Sequence, residues 1–213
     1  MRTTSKILAV ALTAAVQSAM AGTVELKFED LTTTASLNGA YNGVNVSGSA
    51  WGALSADCTN GDALFTRPNS CGALWLAVDP DKPQNGKIES LTLSLAGGFD
   101  ALSFVYSGSA NTINLSVSVF DAAGNELTSL QNLTGQACAS TSYLFCNWSQ
   151  TLNLQFSGIA RSITFSALDK NVLLDDIVFR TPTATGRLPE PTSVALALGA
   201  LGGLAWSRKR KAG

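Results

Sequence analysis

Thr112-Ile113-Asn114-Leu115-Ser116-Val117-Ser118-Val119 is the stretch that decides the fold. Ile113, Leu115, Val117 and Val119 alternate with Thr112, Asn114, Ser116 and Ser118. A period of two puts apolar residues on one face of a strand and hydroxyls and amides on the other. The alternation recurs in Leu91, Leu93, Leu95, in Leu102, Phe104, Tyr106, in Leu152, Leu154, Phe156, and in Ile163, Phe165, Ala167. Each run has one face for a core and one for water, as in antiparallel sheets packed on one side. Gly97-Gly98 and Asp121-Ala122-Ala123-Gly124-Asn125 read as turns between strands. No long amphipathic helix is legible in the body of the chain. The expected fold is therefore all-β, an antiparallel β-sandwich of jelly-roll type over residues 22–182, followed by a short linker, 183–188.

Residues 1–21 have the pattern of a secretory signal peptide: Arg2 and Lys6, an apolar core from Ile7 to Val16, then Ala19-Met20-Ala21, with Ala19 and Ala21 as the small residues of the cleavage site. Export also accounts for the cysteines. Cys58, Cys71, Cys138 and Cys146 are even in number, and outside the cytosol they are expected to form disulfides. Of the three pairings that four cysteines allow, the local ones, Cys58–Cys71 and Cys138–Cys146, are expected because each brackets a short, turn-rich loop. A zinc site would need all four thiolates from distant loops, since the chain has no histidine.

At the other end stand Leu188-Pro189-Glu190-Pro191, an uncharged stretch from Thr192 to Ser207, and Arg208-Lys209-Arg210-Lys211. The prolines hold the chain extended, so no helix runs through them. The uncharged stretch suits a membrane helix but is shorter than the roughly 20 residues that normally cross a bilayer. Snorkelling of the flanking basic side chains or local thinning can make up the difference. The basic cluster is expected to stay cytoplasmic, leaving the body outside. Pro-Glu-Pro, a short apolar span and a basic terminus, in this order, resemble the PEP-CTERM sorting segment of Gram-negative bacteria, here 189–213. That resemblance implies recognition by a membrane-embedded exosortase through Pro189, Glu190, Pro191 and the basic cluster. It also implies export across the inner membrane, transient anchoring, and delivery to the cell surface or the exopolysaccharide matrix. An ordinary C-terminal anchor explains the span but not Pro-Glu-Pro, and a sortase signal would need threonine where Pro191 stands.

The domain ends resemble the jelly-roll domains of the same family: Phe28-Glu29-Asp30-Leu31 at the start, Leu174-Asp175-Asp176-Ile177-Val178-Phe179 at the finish, and Tyr41-Asn42-Gly43-Val44 with Trp51 following. If first and last strands lie side by side, Glu29 or Asp30 meets Asp175 or Asp176 at a sheet edge. A structural Ca²⁺ held partly by these residues is the expectation there, against the alternative of a solvated, charged edge. Trp51, Trp148 and Tyr41 are the candidate sugar-stacking aromatics, whereas Trp75, inside the apolar run Ala73–Val78, reads as core. Exopolysaccharide is the expected partner.

Charge and composition exclude several functions. Between Gly22 and Arg187, eight basic residues stand against fourteen acidic ones, a net charge of −6, which disfavours nucleic acid as a partner. Without histidine there is no Ser-His-Asp or Cys-His mechanism. What remains for catalysis is a carboxylate pair of the glycosidase kind, from Glu29/Asp30, Asp79/Asp81 or Asp175/Asp176. Adjacent carboxylates on a strand point to opposite faces, and Asp79-Pro80-Asp81 reads first as a turn. The sequence therefore points to a non-catalytic surface or matrix protein associated with exopolysaccharide. A carboxylate-dependent glycan hydrolase and a protein-mediated adhesin are the alternatives.

Overall fold

The computed structural model describes residues 22–59, 61, 64–135, 138 and 144–182; the expected signal peptide, the linker 183–188 and the Pro-Glu-Pro segment with its span lie outside the described residues. Eleven strands follow one another: β1 (Thr23–Leu26), β2 (Ala35–Ser36), β3 (Gly39–Tyr41), β4 (Val44–Gly48), β5 (Ala50–Leu54), β6 (Gly72–Leu76), β7 (Ile88–Gly108), β8 (Leu115–Phe120), β9 (Glu126–Leu133), β10 (Leu152–Leu168) and β11 (Val172–Arg180). Among the described residues there is no helix, and every strand pairing is antiparallel.

Two long strands make the sandwich. The first half of β7 pairs with β4 and with the end of β10, while its second half pairs with β11 and with the start of β10. Both strands thus pass from one layer to the other. The expectation of a turn at Gly97-Gly98 is corrected here: it is a corner inside one continuous strand. Gly98 has φ 76°, and a Cβ there would lie 2.5 Å from Ile159 and 2.9 Å from the Ala160 carbonyl. Only glycine allows β10 to approach the corner that closely. By the same token the two runs Leu152–Phe156 and Ile163–Ala167 are one strand, β10, with Gly158 at φ 98° between them. The Asp121–Asn125 turn, by contrast, forms between β8 and β9. Asp121 Oδ1 accepts from the Ala123 and Asn125 amides, and Gly124 takes φ 84°.

One layer is β3-β4-β7-β10-β8-β9; the other is β2-β5-β6-β11-β7-β10, with β1 on the free edge of β11 beyond β6. The core between them is built from the alternating residues that the sequence marks. Val44, Val46, Leu91, Leu93, Leu115, Val117, Val119, Ile163 and Phe165 meet Leu74, Leu76, Leu102, Phe104, Leu174, Ile177 and Phe179. Phe104 and Phe165 meet edge to face across the layers, centroids 5.1 Å apart. Each such ring, fully buried, contributes about 1.5–3 kcal/mol from area alone.

Candidate functional site

The β5–β6–β11 layer is buried on both faces, and its outer face carries a second core. Ala53, Ala73 and Ala77 are small, and the space they leave is filled by Phe65 and Phe145, with Trp75 and Leu173 beside them. Phe65 and Phe145 come from two loops, each closed by a disulfide: Cys58–Cys71 and Cys138–Cys146. Both pairings are the local ones that the sequence favours. The loops hold each other as well, since the Leu64 carbonyl accepts from the Leu144 and Phe145 amides, and Phe65 bridges to both Ser55 and Phe145.

Where these loops end, a cleft of about 450 Å³ opens. Trp51 of β5 sits opposite Trp75 of β6, and these two indoles form its base. Leu64 comes from the first stapled loop, Leu144 from the second, and Pro80 with Asp81 from the turn after β6. Trp51 is half-buried and spends its Nε1–H on the Val78 carbonyl at 3.2 Å, which fixes the ring and leaves its surface for contact. Trp75 is 6% exposed, and its Nε1–H is buried with no partner among the described residues. Leu144 is 56% exposed, so the cleft has an apolar lip open to solvent.

Trp51, Trp148 and Tyr41 do not form one platform. Trp148 donates its Nε1–H to the Thr66 carbonyl at 3.2 Å, meets Phe65 edge to face, and carries the Arg67 guanidinium 4.7 Å above its ring. That makes it a clamp for the first loop. It also borders a separate polar cleft of about 370 Å³ with Tyr106, Asn147 and Gln150. Tyr41 stacks on Phe28, centroids 5.3 Å apart and planes 11° from parallel, and donates its hydroxyl to Asp30. Burial and then that carboxylate push the Tyr41 hydroxyl pKa well up. Leu64, Leu144 and Asp81, which complete the Trp51 cleft, carry no sequence signal beyond the cysteine brackets around the first two.

At the acidic edge, first and last strands do lie side by side, with Leu26 opposite Ile177. The four carboxylates nevertheless have separate partners. Glu29 accepts from the Cys71 amide at 2.8 Å, and Asp30 from Tyr41. Asp175 and Asp176 both bind Arg67, Asp175 through Nη1 and Asp176 through Nη2 at 2.5 Å. Adjacent strand residues should face apart; here Asp176 takes φ 47° in a bulge where β11 has one residue more than β7 between Asp175↔Val105 and Val178↔Ser103. The extra residue brings both carboxylates to one guanidinium. Among the described residues no group of three or more histidine, cysteine or carboxylate side chains is placed to hold a metal ion. Glu29, Asp30, Asp175 and Asp176, the residues expected to hold calcium, are instead each bonded to a protein partner, and the cation that meets Asp175 and Asp176 is Arg67.

Burial raises the Asp175 carboxyl pKa to about 6, against the opposing pull of Arg67, the Asp176 amide and the Ser70 hydroxyl. Ser70 donates to the same Oδ2 at 2.9 Å. This network ties the first stapled loop, through Arg67 and Ser70, to the last strand of the sandwich.

No family model and no curated protein matches the chain. Solved structures of similar shape include TmCBM61 in complex with beta-1,4-galactotriose, 16% identical, covering 67% of this chain and 91% of that one, TM-score 0.40. The K2 cleaved adhesin domain of Lys-gingipain is 11% identical, over 74% and 97% of the two chains, TM-score 0.49. A family 29 carbohydrate-binding module complexed with mannohexaose is 16% identical, over 76% and 93%, TM-score 0.42. These neighbours are carbohydrate-binding modules and an adhesin domain, and the identities and scores are too low to carry a function from them to this chain.

Proposed function

We propose that this is a non-catalytic glycan-binding domain whose site is the Trp51–Trp75 cleft. The observation that supports it is the cleft itself: two indoles at its base, two leucines at its sides, and a small number of polar groups at its margin. A pyranose has one apolar face and a perimeter of hydroxyls. An indole surface matches the face, and the perimeter needs a few hydrogen-bonding groups of the kind that pocket margins supply. The rigid mounting of Trp51, through β5 pairing and its bond to Val78, means little side-chain freedom is lost when a sugar lands on it.

Hydrolysis by a carboxylate pair needs two such groups facing across the scissile bond. The cleft margin offers one, Asp81. Of the other candidates, Asp79 pairs with Lys82 at 3.0 Å, and Glu29, Asp30, Asp175 and Asp176 are bonded as described. We further propose that the protein is exported and sorted by an exosortase through Pro189, Glu190, Pro191 and the basic end, so that the domain works at the cell surface or in the exopolysaccharide matrix. The support for that step is the order of those three parts in the sequence.

Titrating the oxidised protein with exopolysaccharide from the producing cells tests the site, with reducing-end release followed in the same samples. Saturable binding without release is the expected result. Release of reducing ends would favour the hydrolase, and binding that survives removal of the polysaccharide would favour a protein partner.

A further inference from the structure

Around the Trp51–Trp75 cleft the nearby cations are already committed. Lys82 pairs with Asp79 at 3.0 Å. Lys170 Nζ donates to the Pro80 carbonyl at 3.1 Å and to the Lys82 carbonyl. Buried Asp169 accepts from the Val78 and Asn85 amides, which fixes the same turn from below. The turn is therefore held rigidly, and it presents one exposed carboxylate, Asp81, at the cleft margin. Among the described residues that carboxylate has no hydrogen bond or ion pair.

A carboxylate with no counter-ion among the described residues, beside indole rings, is the chemistry that recognises an organic cation. The carboxylate supplies the ion pair, and the electron-rich ring faces attract the same charge. The geometry points to a hexosamine with a free ammonium group as the sugar unit taken at this cleft, an inference that rests on the glycan reading above. The net charge of −6 between Gly22 and Arg187 strengthens the preference at long range, and uronate or sulfated sugars meet like charge at Asp81.

The test uses the full-length, oxidised protein and three tetrasaccharides of equal length: glucosamine, N-acetylglucosamine and galacturonate oligomers, titrated at slightly acid pH. Binding should be tightest for the glucosamine oligomer, by about fivefold over its N-acetylated form, the scale of one solvent-exposed ion pair. The gain should vanish near 1 M salt, where the screening length falls to about 3 Å. Asp81→Asn should remove most of the difference between the two oligomers. Equal affinity in the unmodified protein, a difference undiminished in Asp81→Asn, or tightest binding of the galacturonate oligomer would each overturn the inference while leaving the glycan site standing. Absence of binding to all three would also overturn the inference, and the glycan reading itself falls only if the exopolysaccharide titration shows no binding as well.

Discussion

Reducing the two disulfides should undock the loops that wall the cleft and leave the sandwich folded. The loops span sequence separations of 13 and 8 residues, for which chain entropy gives about 3 and about 2.5 kcal/mol of stabilisation. Without the staples, the second loop is held mainly by Phe145 and the first by Phe65 together with the Arg67–Asp175 and Trp148–Thr66 contacts, and the full burial of each ring is worth about 1.5–3 kcal/mol. Ordering one residue costs about 1–2 kcal/mol, so these few contacts cannot by themselves hold loops of this length. The main core contains no cysteine, and its strand pairing does not pass through either loop. Under dithiothreitol, near-ultraviolet circular dichroism should therefore weaken and tryptophan emission shift to the red, as Trp51, Trp75 and Trp148 lose their cover. The far-ultraviolet β signal should persist, and glycan affinity should fall at least about tenfold, the equivalent of 1.4 kcal/mol. Reduction that changes neither tertiary signal nor affinity would refute the reasoning, and so would simultaneous loss of the far-ultraviolet signal.

Three further outcomes follow from the same contacts. Because burial raises Asp175 to about 6 from an ordinary value of 3.8, the folded state holds that proton more tightly. Its contribution to stability is full below about pH 4 and is lost as pH rises to about 6, by up to about 3 kcal/mol. Asp79 and Asp121, held below the usual range by Lys82 and by Asn125 respectively, lose their contribution only as pH falls below about 4, outside this window; urea midpoints across the window should be compared with those of Asp175→Asn, which should lack the fall. Arg67→Met leaves Asp175 buried without its cation and should destabilise by about 3–5 kcal/mol in a thermal or urea melt at neutral pH, whereas a surface-like loss under 1 kcal/mol would contradict the network. Phe165→Ala empties the centre of the main core and should cost about 3–5 kcal/mol in urea unfolding, with loss of both layers together.

Strand content was legible because burial on one face writes a period of two, and Ile113–Val119 and Ile163–Ala167 keep it cleanly. The corner at Gly98 was not, because a glycine that ends a strand and one that bends it look alike until the partner strand is placed. The second core was half visible: the unbroken apolar run from Ala73 to Val78 signals burial on both faces, but nothing local says that loops supply the cover. Arg67 lies 108 residues from Asp175 and 81 from Trp148, so its role in both contacts is tertiary alone. Trp51 and Trp148 stand in similar sequence, beside glycine and serine or asparagine. Only the path of the first stapled loop makes one a clamp and leaves the other at an open cleft.

Calorimetric titration of Trp51→Ala beside the unmodified protein, both oxidised and both checked for the same unfolding midpoint, tests the central claim most directly. The account predicts saturable binding of a glycan oligomer by the unmodified protein and a loss of about tenfold or more in Trp51→Ala, the scale of one lost aromatic contact with its buried area. Equal affinity in the two proteins would contradict the assignment of the Trp51–Trp75 cleft.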